Sequence, residues 1–162
     1  MNKLYLITGP AGVGKSTISK LLAEKLDKSV LIEGDDIYHM VISGYVSAWK
    51  EGNHLKLFWQ NVISIIKNSL NEGYDVVFNY IINKNDYELL RKKFKDANII
   101  FKVLITSEEE LIRRDKLRLE KNRMNDRCIK LLNEFRNQKF KQENIIDTTN
   151  LSIEDTLKVV IT

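Results

Sequence analysis

Eight residues near the start of the chain have the types and spacing needed to hold a nucleotide phosphate. They run Gly9-Pro10-Ala11-Gly12-Val13-Gly14-Lys15-Ser16 and fit the pattern G-x-x-x-x-G-K-[ST]. Glycines let such a backbone curl so that its N–H groups point at phosphate oxygens. Lys15 is expected to reach the β- and γ-phosphates, and the Ser16 hydroxyl to bind Mg²⁺. The predicted ATP contacts in this segment are Gly9, Ala11, Gly12, Val13, Gly14, Lys15, Ser16 and Thr17.

Three carboxylates stand close together in the run Glu33-Gly34-Asp35-Asp36. They follow an apolar stretch that reads as a strand, and Gly34 would let the backbone turn sharply there. Acidic side chains beside a polyphosphate are explained by Mg²⁺, or by a proton accepted from an attacking hydroxyl. We predict that Asp35 is functional, and that Asp36 caps the helix beginning near it.

Arginine is distributed unevenly along the chain. All seven arginines lie at or after Arg91, and five of them fall between Arg113 and Arg127. Arg114 and Arg118 are four residues apart and would share a helix face, and Arg123 and Arg127 repeat that spacing. A break near residues 122–126 predicts a bend or a short mobile loop. Such arginines suit a segment that closes over transferring phosphates.

Two other readings of the arginine-rich stretch are an ordinary basic amphipathic helix and a patch that contacts RNA or DNA. The stretch lacks the interleaved aromatic residues that are typical of a base-stacking surface, so we rank the nucleic-acid reading lower.

Alternating strands and helices must position these residues. The predicted strands are Lys3–Ile7, Ser29–Ile32, Asp75–Tyr80, Asn98–Leu104 and Asn144–Ile146. The predicted helices are Lys15–Leu26, Asp36–Ser43, His54–Asn71, Asp86–Lys95, Glu108–Lys121, Asp126–Gln138 and Ile153–Val160. This alternation indicates a parallel sheet with helices on both faces. Ligands of such folds bind at the carboxyl ends of the strands, where the glycine-rich loop and the acids both lie.

Bulk properties restrict the class of protein. A chain of 162 residues suggests one domain, and a net charge of +4 is a mild excess. The single cysteine, Cys128, cannot form an internal disulfide and is expected to pack on its helix. No apolar run approaches the roughly 18 residues needed to span a membrane, and none reads as a signal peptide. We expect a cytoplasmic protein without a membrane partner, monomeric or weakly dimeric.

The order of these features resembles the small P-loop kinases related to nucleoside monophosphate kinases, shikimate kinase, gluconate kinase and chloramphenicol phosphotransferase. The resemblance covers nearly the whole chain. It implies a three-layer α/β/α P-loop NTPase fold with a five-stranded parallel sheet in the order 2-3-1-4-5 and a helical lid. It further implies a single kinase domain over residues 1–162, with an acceptor-binding region at 36–73, an arginine-rich lid at 113–127, and ATP with Mg²⁺ as cofactors.

The resemblance also assigns roles residue by residue. Glu33 would help to hold Mg²⁺ through water, and Asp35 would meet the acceptor hydroxyl. Of Arg114 and Arg118, one would stack on adenine and one would touch phosphates. Asp147 and Thr148, with Thr149, resemble the loop beside the adenine ring. The lid arginines that would neutralise charge are Arg118, Arg123 and Arg127.

One position departs from the family. Many relatives end the third strand with an Asp that supports Mg²⁺, whereas this chain has Asn79 there. An amide can hold a metal-bound water but adds no negative charge. Either Glu33 and Asp35 carry the metal alone, or turnover is weak.

The acceptor region at 36–73 contains no arginine, and its only lysines are Lys50, Lys56 and Lys67. Because arginine is the usual clamp for an anionic acceptor, this argues against a nucleotide. The region is instead rich in rings, which suits a neutral or polyhydroxylated acceptor. The acceptor-binding candidates are Asp35, Tyr38, His39, Trp49 and Asn79. His39 and His54 lack a metal-ligand pattern, and surface or packing roles are favoured for each. The helical spacing of Phe58, Val62, Ile65 and Ile66 predicts core positions.

We therefore predict an ATP-dependent kinase that phosphorylates a hydroxyl of a small, non-nucleotide acceptor. A GTPase-like or ATP-dependent regulatory protein is one alternative, because Asn83-Lys84-Asn85-Asp86 matches the guanine-reading motif N-K-x-D. No D-x-x-G element precedes that run, and helix capping by Asn83 with Asp86 explains it better. An RNA 5′-hydroxyl kinase is the other alternative.

Overall fold

A computed structural model describes residues 2–120 and 123–161 of the chain. The strands are β1 (Lys3–Thr8), β2 (Ser29–Glu33), β3 (Asp75–Asn79), β4 (Asn98–Ile105) and β5 (Ile145–Asp147). All pairings are parallel, and the strand order β2-β3-β1-β4-β5 confirms the predicted topology.

The helices are α1 (Lys15–Lys25), α2 (Gly34–Tyr38), α3 (Leu55–Asn71), α4 (Lys84–Lys93), α5 (Glu108–Lys116), α6 (Asp126–Asn137) and α7 (Ile153–Ile161). A short 3₁₀ turn, Gln142–Asn144, precedes β5. No helix in the described ranges is both long enough and apolar enough to cross a bilayer.

The central strand β1 is buried on both faces, which is typical of a parallel sheet covered by helices. Leu4 and Leu6 point into one apolar cluster, which α3, α4 and α6 complete. Tyr5 and Ile7 point into a second cluster, which α1 and α7 complete. The alternation of side chains along β1 therefore divides the core into two halves and gives the predicted three-layer α/β/α architecture.

The helix after β2 is shorter than predicted. The sequence suggested a helix over Asp36–Ser43 with Asp36 as its cap, but α2 spans only Gly34–Tyr38 and Glu33 occupies the N-cap position. Asp36 lies in the first turn, so its predicted capping role is wrong. The chain then leaves the helix because the Tyr38 hydroxyl donates a hydrogen bond of 2.7 Å to the carbonyl of Val46.

The helix α5 also ends early, at Lys116, whereas the prediction extended it to Lys121. Lys121 lies outside the described residues. The cause is Asp115, which is 4% exposed and accepts hydrogen bonds of 2.9–3.0 Å from the backbone N–H groups of Met124 and Asn125. The predicted break is present at Asn125, which has a φ of 48° and directly precedes α6.

The start of α4 confirms the predicted cap. The Asn83 side chain accepts a 3.0 Å hydrogen bond from the Asp86 N–H, and the Asp86 carboxylate accepts one of 3.1 Å from the Asn83 N–H. With Asn83 as the cap, α4 begins at Lys84 instead of the predicted Asp86. In α3, Phe58, Val62 and Ile66 are buried as predicted, but Ile65 is 37% exposed and its predicted core position is wrong.

Candidate active site

The loop between β1 and α1 follows a path that requires glycine, as Gly9 and Gly14 show. A Cβ on Gly9 would collide with the carbonyl oxygen of Leu104 on the neighbouring strand β4. Gly14 has a φ of 104° and forms the N-cap of α1. The helix therefore begins directly behind the loop, where its free N–H groups favour an anion.

The predicted ATP contacts of this loop divide into two groups. Ala11, Gly12, Gly14, Lys15, Ser16 and Thr17 line a cavity of about 1130 Å³ at the carboxyl ends of the strands. Gly9 lies beneath them against β4, and the Val13 side chain is buried in the core. These two residues shape the loop from behind, and neither is among the residues that line the cavity.

The Lys15 ammonium group is buried beside both carboxylates and another cation. Its ammonium group donates a hydrogen bond of 3.1 Å to the carbonyl of Pro10 within the loop. Burial lowers the pKa of Lys15 to about 8, although the carboxylates of Asp35 and Glu33 act in the opposite direction. Lys15 is therefore a cation that gains from the arrival of further negative charge.

Ser16, Glu33 and Asn79 form one hydrogen-bonded cluster beside Lys15. The Ser16 hydroxyl donates to Glu33 Oε2 at 3.3 Å, and the Asn79 amide donates to the same oxygen at 2.5 Å and to Ser16 Oγ at 3.0 Å. The pairing of β2 with β3 aligns Glu33 with Asn79. Burial raises the pKa of Glu33, and the hydrogen bonds from Ser16 and Asn79 limit the rise.

This cluster fits a magnesium ion shared with a nucleotide. Mg²⁺ is usually held by one or two carboxylates together with substrate phosphates, and the Ser16 hydroxyl and Glu33 carboxylate are oxygen ligands of that kind. No group of three or more His, Cys, Asp or Glu side chains suited to a metal occurs within residues 2–120 and 123–161. The Asn79 amide directs its N–H at Glu33, so in this arrangement it orients the carboxylate.

Asp35 and Tyr80 both line the cavity. Asp35 is exposed in the first turn of α2. Tyr80 follows β3, and its ring lies so close to Gly34 that a Cβ there would come within 2.5 Å of it. Gly34 is thus required by this close approach, whereas the sequence suggested that it allows a sharp turn. Burial, assisted by the charge of Asp35, raises the pKa of Tyr80, so its hydroxyl stays protonated.

Arg114 joins the phosphate loop to the end of β5. Its guanidinium donates to the Val13 carbonyl at 3.1 Å, to Thr148 Oγ1 at 3.1 Å and to the Thr148 carbonyl at 3.0 Å. Its Nε pairs with Glu110 at 2.7 Å. The structure therefore brings Arg114 and Thr148 together, as expected for residues of one subsite. The carboxylate of Asp147 accepts hydrogen bonds from Thr149 instead.

The three arginines predicted to act on phosphates have different surroundings. Arg118 lines the cavity and lies 3.4 Å from the buried carboxylate of Asp115. Arg123 is exposed, and its Nε donates to the Arg118 carbonyl at 3.2 Å. Arg127 lines the cavity, with its guanidinium carbon 3.4 Å from the centroid of the Trp49 ring. Of the three, Arg118 is the one whose charge contributes to lowering the pKa of Lys15.

Aromatic residues form the opposite part of the cavity wall. The predicted acceptor-binding residues His39, Trp49, Asn79 and Tyr38 all line the cavity. The Tyr38 hydroxyl is used by the Val46 carbonyl, so this ring acts through its face. His54 stacks on Tyr38 with 4.0 Å between ring centroids, which is the packing role expected for it.

Several lining residues were missed by the sequence analysis. They include Tyr80, Asp86, Asp126, Lys130 and Glu134. Tyr80 directly follows Asn79 at a strand end, so the rule that ligands bind there points to it. The members on α6 repeat at helical spacing with Arg127, a pattern that becomes meaningful only once the face of α6 toward the cavity is known.

The run that matches N-K-x-D has a structural explanation. The side chains of Asn83 and Asp86 bond to each other's backbone N–H groups, which is the capping box of α4. The Lys84 N–H donates to Gln138 Oε1 at 2.8 Å, which ties this cap to the end of α6. The capping interpretation of this motif is therefore confirmed.

Comparisons with known proteins agree with this architecture. The tunicamycin resistance protein of Deinococcus radiodurans is 20% identical, with a TM-score of 0.71 over 99% of this chain and 94% of that chain. The APS kinase of Mycobacterium tuberculosis is 16% identical, with a TM-score of 0.70 over 99% of this chain and 95% of that one. A gluconokinase of Sinorhizobium meliloti 1021 is 18% identical, with a TM-score of 0.68 over 98% and 91%. At such identities the likeness shows the fold alone.

No curated protein matches this sequence at a significant level. A family model described as AAA domain matches residues 6–141, which include the phosphate loop, the acids and the arginine-rich segment. The structural neighbours include P-loop kinases that share this fold over nearly their whole length. The chain therefore belongs to the AAA domain family and has the fold of the small P-loop kinases.

Proposed function

We propose that this protein transfers the γ-phosphoryl group of ATP to a hydroxyl group of a small, non-nucleotide acceptor. The observation that carries the proposal is the cavity itself. One continuous space of about 1130 Å³ extends from the phosphate loop to the aromatic wall, with Asp35 among its lining residues. Such a space accommodates a nucleotide and a second small molecule, and pockets for one ligand are commonly smaller, at about 300–1,000 Å³.

The donor side binds the triphosphate. Backbone N–H groups of the loop and the Lys15 ammonium group hold the phosphates, and the dipole of α1 adds to their attraction. Arg114 and Thr148 lie on the side of the loop where the resemblance places adenine, and they fix the nucleotide base. Arg118 adds positive charge close to Lys15, where negative charge accumulates during phosphoryl transfer.

A bound Mg²⁺ would supply positive charge that offsets the negative charge developing on the phosphates. Ser16 and Glu33 would hold it, with Asn79 fixing the orientation of the Glu33 carboxylate. Because Asn79 adds no negative charge, the protein supplies fewer anionic oxygens here than relatives with Asp in that position.

Asp35 acts on the acceptor. It lies in the first turn of α2, two residues after the end of β2 at Glu33, and it is exposed and lines the cavity. It orients the acceptor hydroxyl and accepts its proton as the oxygen–phosphorus bond forms and the bond to the β-phosphate oxygen breaks. The acceptor lies against the aromatic wall within residues 36–73, and residues 113–127 supply the arginines opposite it, all within one kinase domain.

The acceptor is proposed not to be a nucleotide. Residues 36–73 contain no arginine, and the rings that line the cavity there include Tyr38, Tyr45 and Trp49. An anionic acceptor would need a clamp for its charge, which arginine supplies best. A ring-containing acceptor with hydroxyl groups instead finds apolar faces against which to stack.

The test is acceptor-stimulated release of ADP, with sugars, aminoglycosides and nucleosides as candidate acceptors. Asp35→Asn should lower kcat by about 10²–10⁴-fold and leave ATP binding nearly intact, because the amide keeps the shape and loses the proton acceptor. Asp36→Asn is the matched control, since Asp36 is the exposed neighbour in the same helical turn. Transfer that persists in Asp35→Asn would remove Asp35 from its role.

The same assay separates the rival functions. Phosphorylation of RNA 5′-hydroxyl ends, with binding that weakens steeply as salt increases, would favour an RNA kinase. Tight nucleotide binding that no candidate acceptor influences would favour a regulatory protein.

A further inference from the structure

Trp49 and Arg127 contact each other, although Trp49 was predicted to bind the acceptor and Arg127 to neutralise phosphate charge. Neither role explains the contact. Trp49 lies in the loop between α2 and α3, and Arg127 lies in the first turn of α6. The Arg127 guanidinium carbon is 3.4 Å from the centroid of the Trp49 ring, and both residues line the cavity. A flat cation on the face of an indole is a favourable cation–π arrangement. One wall of the acceptor side therefore already holds a positively charged group that belongs to the chain.

Arg127 is held in this position by few other contacts. Its Nε is buried and has no hydrogen-bond partner within the described residues. None of the ion pairs there involves its guanidinium either. A buried donor without a partner is costly, and five N–H groups make arginine a side chain that normally bonds to anions. The Trp49 face is thus the main identified partner of Arg127, and a competing cation can take its place.

The charge of the cavity favours such a competitor. Away from the phosphate loop, the lining contains four carboxylates, which belong to Asp35, Asp86, Asp126 and Glu134. None of the four has an ion-pair partner within the parts of the chain that the structure describes. Only Arg127 and Lys130 oppose them on this side. Lys15, Arg114 and Arg118 lie on the nucleotide side, where bound phosphates would neutralise them.

Two of these carboxylates lie at the same end of the cavity. Asp86 is in the first turn of α4, and Glu134 is one turn before Gln138 on α6. The 2.8 Å hydrogen bond from the Lys84 N–H to Gln138 holds those two helix ends together. The acceptor side is therefore bounded by an aromatic face that binds a cation and by acids from two different helices.

We propose that the acceptor is a hydroxyl-bearing ring compound that carries an amine, such as an amino sugar, and that its cationic group binds on the Trp49 face in the place of Arg127. The inference rests on the proposed phosphoryl transfer and specifies the class of acceptor. Binding of the acceptor releases the Arg127 guanidinium from the ring. A neutral analogue gains less from the indole face and nothing from the four carboxylates.

Binding is measured by titration calorimetry with a non-hydrolysable ATP analogue present, so that no transfer is required. The probes are glucosamine against N-acetylglucosamine, and kanamycin A against its fully N-acetylated form. In each pair acetylation removes the charge and keeps the ring. We expect the amine of at least one pair to bind about tenfold more tightly, the range of a cation–π contact combined with carboxylates that lack an ion-pair partner. Equal or tighter binding of the acetylated forms in both pairs overturns the proposal.

Two variants test the place of Arg127 directly. Trp49→Leu should weaken amine binding about tenfold and change the binding of the acetylated form little. Arg127→Ala should strengthen amine binding several-fold, since no guanidinium must be displaced from Trp49. Arg91→Ala is the control, because it removes one exposed arginine of a surface pair and should change nothing. Weaker amine binding in Arg127→Ala would show that Arg127 contacts the acceptor, and it overturns the displacement.

The two proposals fail in different ways. If amines bind as described but none stimulates ADP release, the phosphoryl transfer is wrong and the cation-binding face remains. If ADP release is stimulated by neutral or acidic acceptors alone, the transfer stands and the amine-bearing acceptor is wrong.

Discussion

Lys15 illustrates how a single side chain can be prepared for an anion. Its ammonium group is enclosed by the phosphate loop and hydrogen-bonded to the Pro10 carbonyl. Burial lowers its pKa to about 8, since desolvation disfavours the charged form more than Asp35 and Glu33 favour it. A bound triphosphate brings negative charge to the same position and raises that pKa again. In the free protein, Lys15 is therefore partly deprotonated near pH 8.

We predict that ATP binding by the wild-type protein depends on pH above 8. Below that value Lys15 is already protonated, so the Kd is nearly constant. Above it, binding requires the uptake of one proton, and the Kd should rise by up to about tenfold per pH unit. Calorimetry at pH 8.5 in two buffers with different ionisation enthalpies measures the proton uptake. Lys15→Arg retains its charge throughout this range and should remove the dependence of the Kd on pH. A wild-type Kd that stays constant up to pH 9.5 would contradict the prediction.

Asn79 shows what residue types alone do not reveal. The sequence indicated a missing negative charge at the end of β3 and a possible role in holding a metal-bound water. In the structure its amide donates to Glu33 and Ser16, so it fixes the oxygens that are proposed to meet the metal. Whether an amide side chain presents its N–H or its oxygen to a neighbour depends on what that neighbour is. Here the neighbour is Glu33, which is aligned with Asn79 only because β2 pairs with β3.

At the scale of elements, the strands were predictable and the ends of two helices were not. The five strands are short apolar runs bounded by polar residues, and parallel pairing buries them on both faces. The ends of α2 and α5 depend instead on tertiary hydrogen bonds, from Tyr38 to the Val46 carbonyl and from Met124 to Asp115. Neither partner follows from local periodicity. The contact of Trp49 with Arg127 is of the same kind, because it joins the loop between α2 and α3 to the first turn of α6, far along the chain.

Asp115 is the side chain that organises the segment between α5 and α6. Its two oxygens accept from the N–H groups of Met124 and Asn125, and its carboxylate lies 3.4 Å from Arg118. Although burial acts to raise its pKa, the hydrogen bonds from Met124 and Asn125 and the charge of Arg118 keep it lowered. Asp115 therefore stays ionised and holds Arg118 at the cavity.

We predict that Asp115→Ala lowers the free energy of unfolding by about 2–4 kcal/mol, because buried N–H groups lose their acceptor. Amide hydrogen exchange should accelerate at Met124 and Asn125. In the proposed reaction kcat should fall, while ATP affinity changes little because the phosphate loop is intact. Asp96→Ala is the control, since Asp96 is an exposed acid elsewhere on the surface. Unchanged exchange at Met124 and Asn125 would show that the carboxylate does not hold this segment.

At the scale of the whole molecule, Arg114 connects parts of the chain that are far apart in sequence. Its guanidinium bonds to the carbonyls of Val13 and Thr148, which belong to the loop after β1 and the loop after β5. Its Nε bonds to Glu110 in α5. Hydrogen bonds from Arg113 and Arg114 lower the pKa of Glu110 to about 2. The Glu110 carboxylate therefore stays ionised, and its ion pair with Arg114 is kept, at neutral pH. One side chain thus links the nucleotide side of the cavity to the strands at its base.

Arg113 and Arg114 provide a matched comparison, because both bind Glu110 and their removal changes the net charge equally. The Arg113 side chain is 63% exposed, and surface ion pairs of that kind contribute about 0–1 kcal/mol. The Arg114 side chain is 23% exposed and holds two backbone carbonyls besides Glu110, so its loss should cost about 2–3 kcal/mol. We predict that Arg114→Ala lowers the midpoint of urea unfolding clearly more than Arg113→Ala and weakens ATP binding, whereas Arg113→Ala leaves ATP binding unchanged. Equal losses of stability in the two variants would mean that Glu110 is the only partner that matters, and that the link from β1 to β5 contributes nothing.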